Sequence, residues 1–126
     1  MQEQLLSLVD FEKLPWSYMN KFEAVLILNP ELSTTLISKE IDKFKNSINS
    51  ISGIVKSEED WGLRELNFNI NKFKKGFYKF LQIEANGQEL SKLRIELNQN
   101  DNLLRYLFVK VKNHQELPTK LYNEKK

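Results

Sequence analysis

A short apolar run near the start of the chain places the strongest constraint on the fold. The run Phe22–Leu28 carries apolar side chains on both of its alternating sets, apart from Glu23, and it ends at Asn29-Pro30. It is too short for a helix of its own, and apolar side chains on both sides are typical of a strand that is covered on both faces. The run therefore predicts a central strand of a sheet.

The next segment has the spacing of a helix. Ser33 or Thr34 can cap its start, and Gly53 can end it. Between these positions apolar residues recur at intervals of four and three, namely Ile37, Ile41, Phe44, Ile48 and Ile51. This interval aligns side chains along one side of a helix, so the segment predicts an amphipathic helix.

Two more strands follow, joined by a basic turn. Residues 54–71 alternate between apolar and polar for most of their length and are interrupted at Trp61-Gly62, which predicts a long edge strand with a bulge near Gly62. A basic turn at residues 72–76 leads into the apolar segment Phe77–Ala85. The two strands are therefore expected to pair as a hairpin.

The last elements complete a known order. Asn86, with Glu89 three positions later, has the form of a capping box for a second helix, whose apolar residues are Leu90, Leu93 and Leu97. Leu103–Val111 predicts the last strand. The order β-α-β-β-α-β predicts an α+β, ferredoxin-like fold, which is a four-stranded antiparallel sheet with two helices on one face.

The length of 126 residues suits one domain. We divide the chain into an N-terminal extension at residues 1–20, a ferredoxin-like domain at 21–112 and a polar, basic C-terminal tail at 113–126. The extension contains an apolar patch, so we expect it to pack on this domain or on a neighbour.

Several classes of function lack the residues they need. The chain has no Cys and a single His, which removes disulfides and thiolate zinc sites and argues against metal or Ser-His chemistry. We predict that His114 is a solvated loop residue and that Glu58-Glu59-Asp60 is a solvated acidic run. The four glycines are isolated, so no phosphate loop exists. We therefore predict no enzyme, no catalytic residue, no metal, no cofactor and no small-molecule substrate.

The longest uninterrupted apolar run, Ala24–Leu28, is far too short to span a membrane, so no membrane partner is expected. The formal net charge is only +2, so any contact with nucleic acid must come from local clusters of basic residues. One cluster is Lys72, Lys74 and Lys75 in the hairpin turn, and another is Arg105, Lys110 and Lys112. A solvated turn explains the first cluster about as well as phosphate binding does.

The face of the sheet without helices should alternate with polar residues, but it does not do so cleanly. The strands place apolar side chains on that side, namely Val25, Ile27, Tyr78, Phe80, Leu107 and Val109. An exposed apolar face favours contact with another protein, so we predict that these six residues form a partner-protein face.

An RNA-recognition motif has the same topology and is the alternative function, a free protein that binds single-stranded RNA. That motif needs residues 77 and 79 on the open side of the sheet. Such a register would push Gln82 and Glu84 into the core, which argues against it.

Three segments together resemble the bacterial-type small-subunit ribosomal protein six family, from Lys21 to Lys112. They are Phe22–Pro30, then Trp61–Ile70 followed by Lys75-Gly76-Phe77-Tyr78, and finally Asn102–Lys110. The resemblance implies a ferredoxin-like protein without catalysis. It also implies binding to the central domain of small-subunit ribosomal RNA as a pair with ribosomal protein eighteen, among other small-subunit proteins.

By position, the resemblance adds RNA-contacting candidates to the two basic clusters. The full set of predicted RNA-binding residues is Lys21, Arg64, Lys72, Lys74, Lys75, Arg105, Lys110 and Lys112. The basic ending at residues 117–126 is similar to that of mitochondrial members. We therefore favour a mitochondrial ribosome in the matrix, with a bacterial ribosome in the cytoplasm as the close alternative.

Overall fold

The order of strands and helices matches the predicted order. The structure, a computed structural model, describes residues 19–70 and 72–117. It contains β1 (Asn20–Leu28), α1 (Thr34–Ser50), β2 (Ile54–Ile70), β3 (Phe73–Ala85), α2 (Gly87–Lys92), α3 (Arg94–Asn98) and β4 (Leu103–Val111). Residues 1–18 of the predicted extension and 118–126 of the predicted tail lie outside the described residues.

The four strands form one sheet in the order β2-β3-β1-β4. Every neighbouring pair is antiparallel, so the ferredoxin-like prediction is confirmed. One detail differs: the predicted second helix is divided into α2 and α3 at Leu93. The Asn86 side chain caps α2 as predicted by accepting hydrogen bonds from two backbone amides, whereas the Glu89 carboxylate accepts a bond from Lys92.

The core lies between the sheet and the helices. On β1 the buried side chains are Phe22, Ala24, Leu26 and Leu28, whereas the residues between them are only half-buried. The buried set packs with residues of the helices, namely Ile41, Phe44, Ile48, Leu90, Leu93 and Leu97. The expectation that β1 is covered equally on both faces is therefore wrong, because the helices cover one face only. We call the other side the open face.

We expected Gly53 to end α1, but the preceding residue ends it. The left-handed backbone conformation that ends the helix is at Ser52, with a φ of 61°. The amide of Gly53 donates to the Ile48 carbonyl at 2.9 Å and that of Ser52 to the Asn49 carbonyl at 3.0 Å, which is a Schellman motif. Gly53 is needed for space, because a Cβ there would lie 2.8 Å from Cγ2 of Ile48.

This motif predicts that the substitution Ser52→Gly stabilises the protein. A side chain in the left-handed region is strained and glycine is not, so we expect the free energy of unfolding to rise by about 0.5–1 kcal/mol. Urea unfolding followed by circular dichroism measures the change. Ser50→Gly, inside the last turn of α1, is the matched control and should instead destabilise the protein. A loss of stability in Ser52→Gly would contradict the strain argument.

Candidate functional site

Side chains on the open face come from all four strands. Directly opposed residues of antiparallel strands share a face, so the pairing places Val25 with Phe80 and Leu107, and Ile27 with Tyr78 and Arg105. Leu107 and Val109 are 57% and 45% exposed. Five of the six residues of the predicted partner-protein face thus remain at least partly accessible: Val25, Ile27, Tyr78, Leu107 and Val109.

Phe80 is the exception, and its prediction as an accessible contact residue is wrong. It lies on the open face, but only 3% of its surface is exposed because Trp61 stacks on it, with ring centroids 5.0 Å apart. The strand is bulged between Asp60 and Gly62, as predicted, and Gly62 has a φ of 76°. The bulge adds one residue to the strand, so Trp61 and Gly62 both lie on the open side.

The Trp61 indole also has a polar partner. Its Nε1 donates to Oε1 of Glu59 at 3.0 Å, and Glu59 is only 9% exposed. The bulge was predicted from the sequence, but the burial of Trp61 was not. The sequence signal that could have predicted this burial was an aromatic residue next to a glycine inside a strand.

The predicted RNA-binding residues fall at the two opposite ends of the sheet. The hairpin end holds Arg64, opposite Gly76 on β3, and Arg105, opposite Ile27. Its turn carries exposed lysines, namely Lys72, Lys74 and Lys75. The two ends are about 20 Å apart, because six residues of β1 separate Ile27 at one end from Lys21 at the other.

The other end, where β1 begins and β4 ends, holds the remaining predicted cations. Lys21 pairs with Val111, and Lys112 follows directly. Lys110 is opposite Phe22 and therefore lies on the helix side of β4, unlike Arg105. The structure thus places Arg64, Arg105 and the turn at one end of the sheet, with the two arginines on its opposite edge strands β2 and β4, and it places Lys21, Lys110 and Lys112 at the other end.

The acidic run 58–60 is solvated only in part, because the Asp60 side chain is 65% exposed whereas Glu59 is 9% exposed. Lys79, whose side chain is 7% exposed, lies on the helix side of β3 and contacts Asp60 Oδ1 at 2.6 Å and Glu58 Oε1 at 3.2 Å. Lys45 of α1 contacts the other oxygen of Glu58. Glu58 and Asp60 thus neutralise a buried lysine and tie α1 to the edge strand β2.

Burial by itself would raise the pKa of the Glu58 carboxyl, but hydrogen bonds and charges from Lys45 and Lys79 outweigh burial and hold that pKa below its usual 4.5. The group therefore stabilises the fold above its unfolded pKa. That contribution is lost as the pH falls through the lowered folded pKa.

Glu58→Gln should therefore make the free energy of unfolding depend less steeply on pH in the acidic range. We expect the variant to be less stable than the parent protein at pH 7, and we expect the difference between them to shrink as the pH falls below 4.5. Urea unfolding at a series of pH values measures this. Glu31→Gln, at an exposed loop position, is the control and should leave the profile unchanged. A constant difference at every pH would contradict the predicted linkage.

The predicted RNA-recognition alternative conflicts with the strand pairing. Phe77 is opposite Leu28 and Lys79 is opposite Leu26, so both lie on the helix side of the sheet. Gln82 and Glu84 share the open face with Tyr78, as the sequence pattern indicated. The two positions that would stack bases are therefore turned away from the open face.

The segment after β4 crosses part of the open face. We call residues 112–117 the strap. Nε2 of Gln82, a residue only 4% exposed, donates to the backbone carbonyl of Gln115 at 2.8 Å, and Nε2 of Gln115 donates to the Glu23 carboxylate at 3.3 Å. Both ring nitrogens of His114 are buried and have no hydrogen-bond partner among the described residues. The prediction of a solvated His114 is therefore wrong.

Metal-binding clusters and membrane-spanning helices are both absent from the part of the chain that the structure describes. That part contains no group of three or more His, Cys, Asp or Glu side chains able to hold a metal ion. Within 19–70 and 72–117, no helix combines the length and the apolar character that crossing a membrane requires.

Comparison with known proteins gives consistent matches. The family described as "Ribosomal protein S6" matches residues 21–110. The small ribosomal subunit protein bS6 of Christiangramia forsetii is 36% identical over 96 residues, which cover 76% of this chain and 86% of that protein. The bS6 of Orientia tsutsugamushi is 38% identical over 94 residues, covering 75% and 80%.

A solved structure supports the fold. The crystal structure of 30S ribosomal protein S6 from Thermotoga maritima matches with a TM-score of 0.69 at 20% identity, over 74% of this chain and 88% of that one. These relatives are bacterial, so they give no support to the mitochondrial prediction, and they fit the bacterial alternative. The family match spans all four strands and the helices between them, and the chain therefore belongs to the ribosomal protein S6 family.

Proposed function

We propose that the chain is a structural component of the small subunit of a bacterial ribosome, where it binds ribosomal RNA and a neighbouring protein. The observation that carries the proposal is the match to bS6 proteins over three quarters of the chain and most of their length. The family is structural and non-enzymatic, which confirms the prediction that the chain is not an enzyme. The proposed RNA is the central domain of small-subunit ribosomal RNA.

The distribution of basic residues supports RNA binding at two places. Arg64 and Arg105 flank the hairpin end of the open face, and Lys21 and Lys112 lie about 20 Å away along the strands. Side chains of this kind contact phosphates, which orient a protein on RNA without reading much sequence. Two separated groups of cations suit a folded RNA with two backbone segments at that spacing.

The open face supports contact with a protein. Leu107 and Val109 expose about half of their surfaces, and Leu107 is directly opposite Val25 on β1, whereas Val109 is opposite Glu23. Apolar side chains grouped in this way are typical of the centre of a protein interface. We propose ribosomal protein eighteen as the partner on this face.

Sedimentation tests the proposed function directly. Tagged protein, mixed with small subunits of a bacterial relative from which the resident bS6 has been removed, should migrate with the subunits and remain bound in moderate salt. A chain with the basic residues of both ends replaced by Gln is the matched control and should stay at the top of the gradient. Migration of the unaltered protein as free monomer at every salt concentration would contradict the proposal.

A substitution on the apolar face tests the protein partner. Leu107→Asp should weaken association with purified ribosomal protein eighteen by about tenfold or more, because a carboxylate would be buried without a partner. Stability should change little, since Leu107 is 57% exposed. Ile95→Asp, at a residue 68% exposed on α3, is the matched control. Calorimetry measures both, and equal affinities would contradict the assigned face.

A further inference from the structure

The strap occupies a polar row that crosses the open face. Ser57, Gln82 and Glu23 are adjacent across β2, β3 and β1. The Gln82 amide accepts a hydrogen bond from Ser57 Oγ and donates to the Gln115 carbonyl. Glu23 accepts from the Gln115 side chain. The row therefore offers one buried donor to a backbone carbonyl and one carboxylate to a donor side chain.

This pattern of groups defines what the row can bind. An amide donor aimed at a carbonyl suits polypeptide backbone in any sequence, whereas a carboxylate selects an amide or a basic side chain. The chemistry therefore fits an extended peptide segment that carries Gln, Lys or Arg. In the free chain the strap itself supplies such a segment.

The closed position of the strap is stabilised by some of its contacts and destabilised by the burial of one side chain. Its bonds to Gln82 and Glu23 favour the closed position. Against them, the imidazole of His114 has given up its bonds to water, and the described residues provide none in return. An unsatisfied buried polar group carries a penalty comparable to that of a missing hydrogen bond. A closed strap with this penalty is suited to displacement.

We propose that the strap is a built-in competitor for the neighbouring protein. On docking, an extended segment of that protein displaces residues 112–117 and takes over their bonds to Gln82 and Glu23. This inference rests on the proposed function, because it deepens the account of the same open face. It makes the apparent affinity of the partner depend on how tightly the strap closes.

Two substitutions in neighbouring residues should then act in opposite directions. His114→Leu removes the unsatisfied nitrogens and so tightens the strap, which should lower the affinity for the partner about threefold to tenfold. Gln115→Ala removes the bond to Glu23 and loosens the strap, which should raise that affinity by a similar factor of about three to ten. Asn113→Ala, at an exposed strap residue, is the matched control and should change neither.

The experiment uses the full chain in two measurements. In the first, diethyl pyrocarbonate reacts with the single His of the chain, and mass spectrometry follows the rate. His114 should react slowly in the unaltered protein and in Asn113→Ala, and several times faster in Gln115→Ala. In the second, the affinity of each full-length variant for bS6-depleted small subunits is measured by sedimentation.

The outcomes separate this inference from the proposed function. Opposite shifts for His114→Leu and Gln115→Ala support displacement. Shifts in the same direction, or no shift in either, overturn it while the proposed function stands. Reaction of His114 at the rate of free histidine overturns the closed strap itself. Failure of every variant and of the unaltered protein to bind subunits contradicts the proposed function, and displacement falls with it.

Discussion

Replacing Trp61 with alanine is expected to lower the free energy of unfolding by about 3–5 kcal/mol, the range for removal of a buried large aromatic side chain. Trp61 is 8% exposed and stacks on Phe80 at an interplanar angle of 9°. The substitution would uncover Phe80 and would also remove the indole hydrogen bond to the buried carboxylate of Glu59. Both effects act in the same direction.

Urea unfolding followed by far-ultraviolet circular dichroism measures this change without relying on tryptophan fluorescence. Trp61→Phe is the matched control, because it keeps an aromatic ring over Phe80 and removes only the indole donor. Its expected destabilisation is about 1–2 kcal/mol, the cost of one lost hydrogen bond to a buried carboxylate and of a smaller ring. A destabilisation below about 1 kcal/mol in Trp61→Ala would mean that the open face does not depend on this stack.

The double substitution Arg64→Gln with Arg105→Gln should weaken binding to ribosomal RNA about 10- to 100-fold, as expected when two charge-assisted hydrogen bonds to phosphate are removed. Glutamine retains much of the side-chain stem, so packing is largely preserved. The slope of log affinity against log salt should also become less steep, by about one for each phosphate that the protein no longer neutralises.

A transcript of the central domain of small-subunit ribosomal RNA, titrated at several salt concentrations, gives both quantities. Arg94→Gln, which removes an exposed arginine on α3, is the matched control and should leave affinity and slope nearly unchanged. If the control and the double variant lose affinity equally, binding reflects overall charge and the hairpin end is not the contact site.

Local pattern in the sequence was sufficient for the order of the elements. The alternation in β2 and β3 and the helical spacing of α1 depend only on neighbouring residues, and the structure contains all three. The parity argument placed Tyr78 and Gln82 on the open face, and the strand register agrees. Whether a residue lies in a helix or a strand, and on which face of the sheet, can be predicted from the residues next to it in the chain.

Features that depend on distant residues could not be obtained in this way. Lys79 is buried because Glu58 and Asp60 approach it from β2, across a hairpin and past a bulge. The ring nitrogens of His114 are buried where the chain turns back over β1 and β3 after β4 has ended. In both cases a charged or polar residue has an ordinary sequence context, and only tertiary contacts decide its burial.

The placement of the strand ends has a practical consequence for labelling. β1 begins beside the point where β4 ends, since Lys21 pairs with Val111, whereas the hairpin turn lies at the far end of the sheet. A fluorophore attached at Asn20 or Asn113 therefore lies at the end of the sheet remote from Arg64 and Arg105. Labels at these two positions leave the hairpin end unobstructed, so energy-transfer experiments need no insertion into the hairpin turn.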